Sequence, residues 1–288
     1  MSPYDRALAP APRPATAAIA ELAVAALHAE ATLSPKPGLV DARGSGAHAD
    51  MDLATMLGAA HALRGTFAAC AEAARLEPVG PALRARLGQI GRAGERRMLA
   101  VTGGVNTHRG AIWAIGLLSA AAAVADDVLA IVGVAVALAR IADPAAAPAG
   151  RPSHGQAARR RYGATGAAGE AWWGFPHVVG HALPTLTRAR ARGADETSAR
   201  LDALLAVMAH LEDTCLLHRG GRDGLTAMQR GAAAVLAAGG TGAAEGRRRL
   251  MELDRLAARE RLSPGGSADL LAAALFLDAL TSPEGRHA

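Results

Sequence analysis

At 288 residues, 51% of them hydrophobic, the chain carries enough apolar material for a large core, which excludes disorder over most of its length. Aromatic residues make up only 3%, and an interior rich in Ala and Leu favours close-packed helices over strands, so the expected fold is all-α. The net charge of +5 would suit a nucleic-acid binder. However, the densest basic runs, Arg159–Arg161 and Arg247–Arg249, fall in expected helices without interleaved aromatics and read as solvated faces.

Met1–Pro14 is rich in proline, lacks the apolar centre of a secretion signal and is expected to be a disordered tail. A helix should run from Ala15 to Thr32, with Ile19, Leu22, Ala26 and Leu27 on one face. The stretch from Ser34 to Asp52 has prolines and glycines that keep it out of helix, and its length and polarity mark a functional loop. It holds Lys36, the only lysine in the chain beside 30 arginines. Within Pro-Lys-Pro-Gly, Lys36 is expected to be displayed from a stiff turn, as a phosphate-binding lysine would be. Asp50 is the expected N-cap of a helix over Met51–Leu76.

Pro81 should open the next helix, which Gly103-Gly104 ends near Val101. In Asn106-Thr107-His108-Arg109-Gly110 glycines lead into a helix start, where free N–H groups and Arg109 favour an anion. Asn106 or Thr107 is the expected cap. The apolar run Ala111–Ile141 is cut at Asp126-Asp127 into pieces too short to span a membrane, and reads as core helices. Asp143–Pro152 is the only candidate linker, and composition does not change across it, so one domain is expected over residues 15–288. The glycine-rich stretch Tyr162–Glu170 holds a lone carboxylate and is followed by Trp172 and Trp173, which suit either stacking on a ligand or core filling.

Longer helices are expected over Pro176–Arg192, Glu196–His218, Thr226–Ala238, Gly242–Arg261 and Ala268–Leu280. In the block Asp213–Gly221 the helix is expected to stop at Gly220-Gly221, with His218 and Arg219 in its last turn. Asp213 lies about one turn earlier, so a carboxylate and an imidazole could serve proton transfer together. The turn Ser263-Pro264-Gly265-Gly266-Ser267 is a further anion cradle at a helix start. The two cysteines, Cys70 and Cys215, form no CxxC pair and point to a reducing cytoplasm. Together these turns and scattered Asp residues suggest a nucleoside triphosphate held with Mg²⁺.

Glu30–Asp52, Gly104–Gly110, Tyr162–Pro176, Asp213–Gly221 and Ser263–Leu271 resemble, in order, the signature blocks of the triphosphoribosyl-dephospho-CoA synthase family. The resemblance implies that the 2′-hydroxyl of 3′-dephospho-CoA attacks the anomeric carbon of ATP, adenine leaves, and the triphosphate stays on the transferred ribose. The product is the precursor of a prosthetic group carried by an acyl carrier subunit, in malonate decarboxylase, which is favoured, or in citrate lyase. Gly180-His181 stands where the family pattern leads one to expect a Glu, and Trp172-Trp173 is bulkier than expected.

On this scheme Lys36, Asn106, Arg109, Arg219 and the turn of Ser263, Gly265, Gly266 and Ser267 hold phosphates. Asp41, Asp50, Asp52 and Asp213 serve metal or base roles, Asp50 and Asp52 as the metal pair. His108 or His218 donates a proton to adenine. The alternatives are a helical Mg²⁺-dependent ADP-ribosyl hydrolase, which would use water as acceptor, and a non-catalytic binder of nucleic acid or another anion.

Overall fold

The structure, a computed structural model, describes residues 13–145 and 154–282. No strand occurs among them, only an isolated backbone bridge between Asp41 and Gly44. The order is α1 Thr16–Thr32, α2 Leu53–Ala62, α3 Arg64–Leu76, α4 Pro81–Val101, α5 Arg109–Ala122, α6 Val128–Ala139, α7 His154–Tyr162 and α8 Gly166–Trp172. A π-helical turn, Val178–Ala182, then leads into α9 Leu183–Ala191, α10 Glu196–His210, α11 Thr214–Ala237, α12 Ala244–Arg259 and α13 Gly265–Thr281.

Two helices are buried almost all round. In α5 every residue from Ala114 to Ala122 lies in the interior, and in α13 every residue from Leu270 to Leu277 does. A helix apolar on all faces can only be covered by other helices. Accordingly α5 packs against α3 and α13, and α13 against α1. One cluster of buried side chains continues from Ile19 to Leu280. The starts of α5 and α13 reach the surface of this body, and their polar first turns build the site described below.

The helix bounds expected for α1 and α4 agree within a residue of those observed, because Pro81 and the glycines beyond Val101 punctuate the chain. Elsewhere tertiary structure breaks what looks continuous. The expected helix Met51–Leu76 is two, turned at Leu63, whose side chain is fully buried. Its cap is Asp52, not Asp50: Asp52 Oδ1 accepts the Thr55 N–H at 2.8 Å. The N-cap of α5 is His108, not Asn106 or Thr107, although Asn106 Oδ1 accepts the Arg109 N–H.

The helix expected over Glu196–His218 stops at His210. A new one starts at Thr214 and passes Gly220-Gly221 with a kink, where Gly221 has φ 62°. His218 and Arg219 therefore lie just before a bend and not in a last turn.

Of the expected tail, Arg13 and Pro14 fall within the described residues. Arg13 Nε bonds Asp126 and Arg75 donates to the Pro14 carbonyl. Of the candidate linker only Asp143–Ala145 is described, and Asp143 pairs with Arg92 at 2.5 Å. Trp172 and Trp173 are exposed and fill no core. No helix among the described residues is long and apolar enough to cross a membrane.

Candidate active site

The first turns of α5, α8, α11 and α13 meet around a cleft of about 330 Å³, lined by Gly110, Glu170, Glu212, Asp213, Gly266 and Asp269 among others. Asp213 is its floor. Fully buried, it caps α11 by accepting the Cys215 N–H at 2.8 Å. The same carboxylate accepts the Ser267 N–H at 2.8 Å, the Ser267 hydroxyl at 2.9 Å and the Gly266 N–H at 3.3 Å. One side chain thus satisfies the free donors of two helix starts. Burial pushes the Asp213 carboxyl above its usual range, although these donors pull it the other way.

The Gly265-Gly266-Ser267 cradle, expected to take a phosphate, is therefore already filled by the protein's own anion. Ser263 stands apart, buried and bonded to His48.

Asp269, two residues beyond Ser267, was not singled out from sequence. Its Oδ2 lies so close to the start of α5 that a Cβ on Gly110 would come within 2.1 Å of it. Burial, with the nearby charges of Glu30 and Asp213, pushes the Asp269 carboxyl well above the ordinary carboxylate range, against the opposing Ala111 N–H. The shift favours the protonated form, the one that can donate.

Glu170, noted from sequence only as a lone carboxylate, enters the cleft from α8. Behind it, His177 Nδ1 lies 2.6 Å from Glu170 Oε1. Burial opposes charge on His177, yet the Glu170 carboxylate and the His210 carbonyl raise its pKa above the ordinary value of 6.5. Both ring nitrogens thus face acceptors. The His181 ring stacks between those of His177 and His210, at 5.6 and 4.1 Å. His181 has its own pKa lowered, by burial first and then by those neighbours. The π-turn that carries His181 is a departure from α geometry of the kind often found at functional sites.

A group whose folded pKa is raised stabilises the fold fully below its unfolded value and ceases to do so as pH climbs through the folded one. The thermal stability advantage of the native protein over a His177→Asn variant should thus be largest below pH 6.5 and shrink above it. Parallel melts across pH 5–9 check this, and a pH-independent difference would refute the ion pair.

The remaining expected residues are placed as follows. Lys36 is not displayed: it is 1% exposed, and its Nζ donates to Glu30 Oε1 at 2.5 Å and to the Glu30 carbonyl at 2.6 Å. The Pro-Lys-Pro segment turns the lysine inward. Asp41 is buried as the centre of its loop, accepting the Lys36 N–H, the Ser34 hydroxyl and the Arg43 guanidinium. Burial raises its pKa, but these donors hold it below the usual range.

Asp50 and Asp52 do not form a metal pair, since Asp52 caps α2 and Asp50 is 62% exposed in its side chain. No cluster of three or more His, Cys, Asp or Glu placed to hold a metal occurs among the described residues. His108 is buried with Nε2 3.1 Å from the Met56 carbonyl, and burial lowers its pKa. Arg109 pairs with Glu95 on α4. Exposed His218 lies on α11 beside Arg219.

Arg219 ties the 34–52 loop down, donating to the carbonyls of Ala47 and Arg261 and to His48 Nδ1. Because a guanidinium only donates, Nδ1 accepts, and His48 Nε2–H donates to Ser263 Oγ at 2.8 Å. The expected elements do converge, then, but what they bring together at the cleft is carboxylates, while the cations hold the frame.

Residues 16–287 match the model of the CitG family, described as ATP:dephospho-CoA triphosphoribosyl transferase. The chain is 57% identical over 277 residues, 95% of each chain, to the Azotobacter vinelandii protein named "Probable 2-(5''-triphosphoribosyl)-3'-dephosphocoenzyme-A synthase". A protein of the same name from Stutzerimonas stutzeri is 59% identical over 266 residues, 91% of each chain. One from Pseudomonas putida is 56% identical over 264 residues, 90% of this chain and 93% of its own. No solved structure matches the chain.

Proposed function

The chain belongs to the CitG family of ATP:dephospho-CoA triphosphoribosyl transferases, and from that premise we propose how its cleft performs the transfer. The protein is a transferase, a triphosphoribosyl-dephospho-CoA synthase. The acceptor hydroxyl attacks C1″ of ATP, the C1″–N9 bond breaks, and adenine leaves with the bonding electrons. Positive charge develops on the ribose, so carboxylates nearby lower the barrier, and a proton must reach adenine while another leaves the hydroxyl.

Asp269 is the donor to adenine and Glu170, steadied by the His177 ring, takes the hydroxyl proton. The observation that carries this reading is that a carboxyl group crowded against the start of α5 and a carboxylate backed by an imidazole line one cleft. Asp213 sets the geometry of the floor.

Among the described residues no group of three or more His, Cys, Asp or Glu is placed to hold a metal, and the Asp213 carboxylate is taken up by helix starts. Mg²⁺ is proposed to arrive on the triphosphate as part of the substrate, and no step above uses it. We assign the product to malonate decarboxylase over citrate lyase on the likeness of the Gly174–Leu225 stretch, with an acyl carrier subunit as the eventual recipient. The proposed location is the cytoplasm, where both substrates occur, and the proposed unit is one domain over residues 15–288.

Incubation with ATP, Mg²⁺ and dephospho-CoA should yield equal amounts of adenine and the coupled product by mass. Adenine accompanied by free ribose triphosphate would instead establish the hydrolase chemistry, and absence of adenine would overturn the assignment. Loss of growth on malonate, with growth on citrate retained, is the result expected on deleting the gene. A sharper prediction concerns Gly110. Its helical backbone tolerates Ala, but the added methyl must displace the Asp269 carboxylate. Gly110→Ala should retain a cooperative melt and lose about 10²-fold in adenine release, as a misplacement near 1 Å does.

A further inference from the structure

The carboxylate cleft is narrow, and the triphosphate of ATP is joined to the reacting ribose at C5″. The phosphates must therefore lie one sugar ring away from the carboxylates. The residues expected from sequence to hold them are committed elsewhere: Lys36 to Glu30, Arg109 to Glu95, and Arg219 to His48 and backbone carbonyls. Directly beside the cleft runs a second, open groove of about 740 Å³, lined by Gln156, Arg159, Arg160, Gly163 and Thr165.

The two cavities share a rim. Gly166 lines the cleft, and a Cβ on it would stand 3.3 Å from Thr214, also in the cleft, and 3.9 Å from the Arg159 Cδ in the groove. Among the described residues neither Arg159 nor Arg160 has an ion pair with a carboxylate, in a chain that pairs many of its arginines. Arg161 and Arg222 lie over the Tyr162 ring at 5.1 and 5.8 Å and do not line the groove.

We propose that the groove beside the α7–α8 turn is the polyphosphate subsite, with Arg159 and Arg160 donating to phosphate oxygens of the ATP triphosphate while its ribose enters the carboxylate cleft. Guanidinium forks match phosphate oxygens in pairs, and they neutralise charge without cleaving the phosphates, as a reaction that keeps the triphosphate intact requires. Separation of the two functions also keeps the arginines from neutralising Glu170. This rests on the synthase reading for the identity of the nucleotide, but not for the presence of the subsite.

The test is a double variant, Arg159→Ala with Arg160→Ala, beside Arg248→Ala as a remote control that also removes an exposed arginine, with melts to verify folding. Binding of inorganic tripolyphosphate is measured by calorimetry, and steady-state kinetics are taken for each substrate. Loss of two charge-assisted contacts should weaken tripolyphosphate binding and raise KM for ATP by at least roughly tenfold, with KM for dephospho-CoA little changed. The Arg248 variant should match the native protein.

Unchanged tripolyphosphate binding and unchanged KM for ATP would overturn the proposal. A rise confined to KM for dephospho-CoA would also overturn it, by assigning the groove to the acceptor's diphosphate. If the native protein makes no adenine yet loses tripolyphosphate binding in the double variant, the synthase reading fails and the subsite stands.

Discussion

Asp269→Asn is expected to reduce adenine release by roughly 10³-fold, within the range for removal of a general acid. The substitution keeps the size of the side chain and an acceptor for the Ala111 N–H, and it removes only the proton donor. Because burial and the charges of Glu30 and Asp213 already disfavour the charged carboxylate, exchange for a neutral amide should leave the melting temperature unchanged or slightly raised. That separation is the diagnostic: activity falls without stability. The native enzyme should also lose activity as pH rises through the elevated pKa of Asp269, and this limb of the profile should vanish in the variant. Retained activity, or a loss that tracks unfolding, would remove Asp269 from the chemistry.

Lys36→Met gives the opposite pattern, with a large loss of stability. Lys36 and Glu30 form an ion pair with side-chain exposures of only 1% and 3%. Removal of one member leaves a buried carboxylate without compensation, which costs about 3–5 kcal/mol. Against a typical total of about 5–15 kcal/mol, this is a large fraction and should lower the melting temperature on the order of 10 °C. The double variant Glu30→Gln with Lys36→Met should recover much of the loss, because it removes both charges together. A phosphate-binding lysine would behave otherwise, with unchanged melts and a raised KM for ATP.

These two residues show what the sequence conveys and what it withholds. Helix ends are written locally, so Pro81 and the glycines after Val101 locate α4, and the polar loop before Leu53 locates the start of α2 within two residues. Positions with an affinity for anions are also legible, because glycine-rich turns at helix starts are local features. Which anion occupies them is not. The cradle at Gly265–Ser267 is filled by Asp213, distant in sequence, and Arg109 by Glu95 on the preceding helix.

An unpaired arginine and a paired one look alike until the fold supplies or withholds a carboxylate. For this reason Lys36 stood out in the sequence and turned out to be frame, whereas the Arg159–Arg161 run looked like an ordinary solvated face. Asp269 was hidden for a related reason. On α13 it reads as an acid complementing the helix dipole, and only the approach of Gly110 from α5 gives it a role.

The Asp213 carboxylate has a mechanical consequence. A single side chain fastens the first turns of α11 and α13, so neither can fray alone. In hydrogen exchange the amides of Cys215 and Ser267 should behave as members of one opening unit, with matched protection. Evolution can then reshape the outer wall of the cleft without disturbing its base, because the base yields only when both turns let go at once.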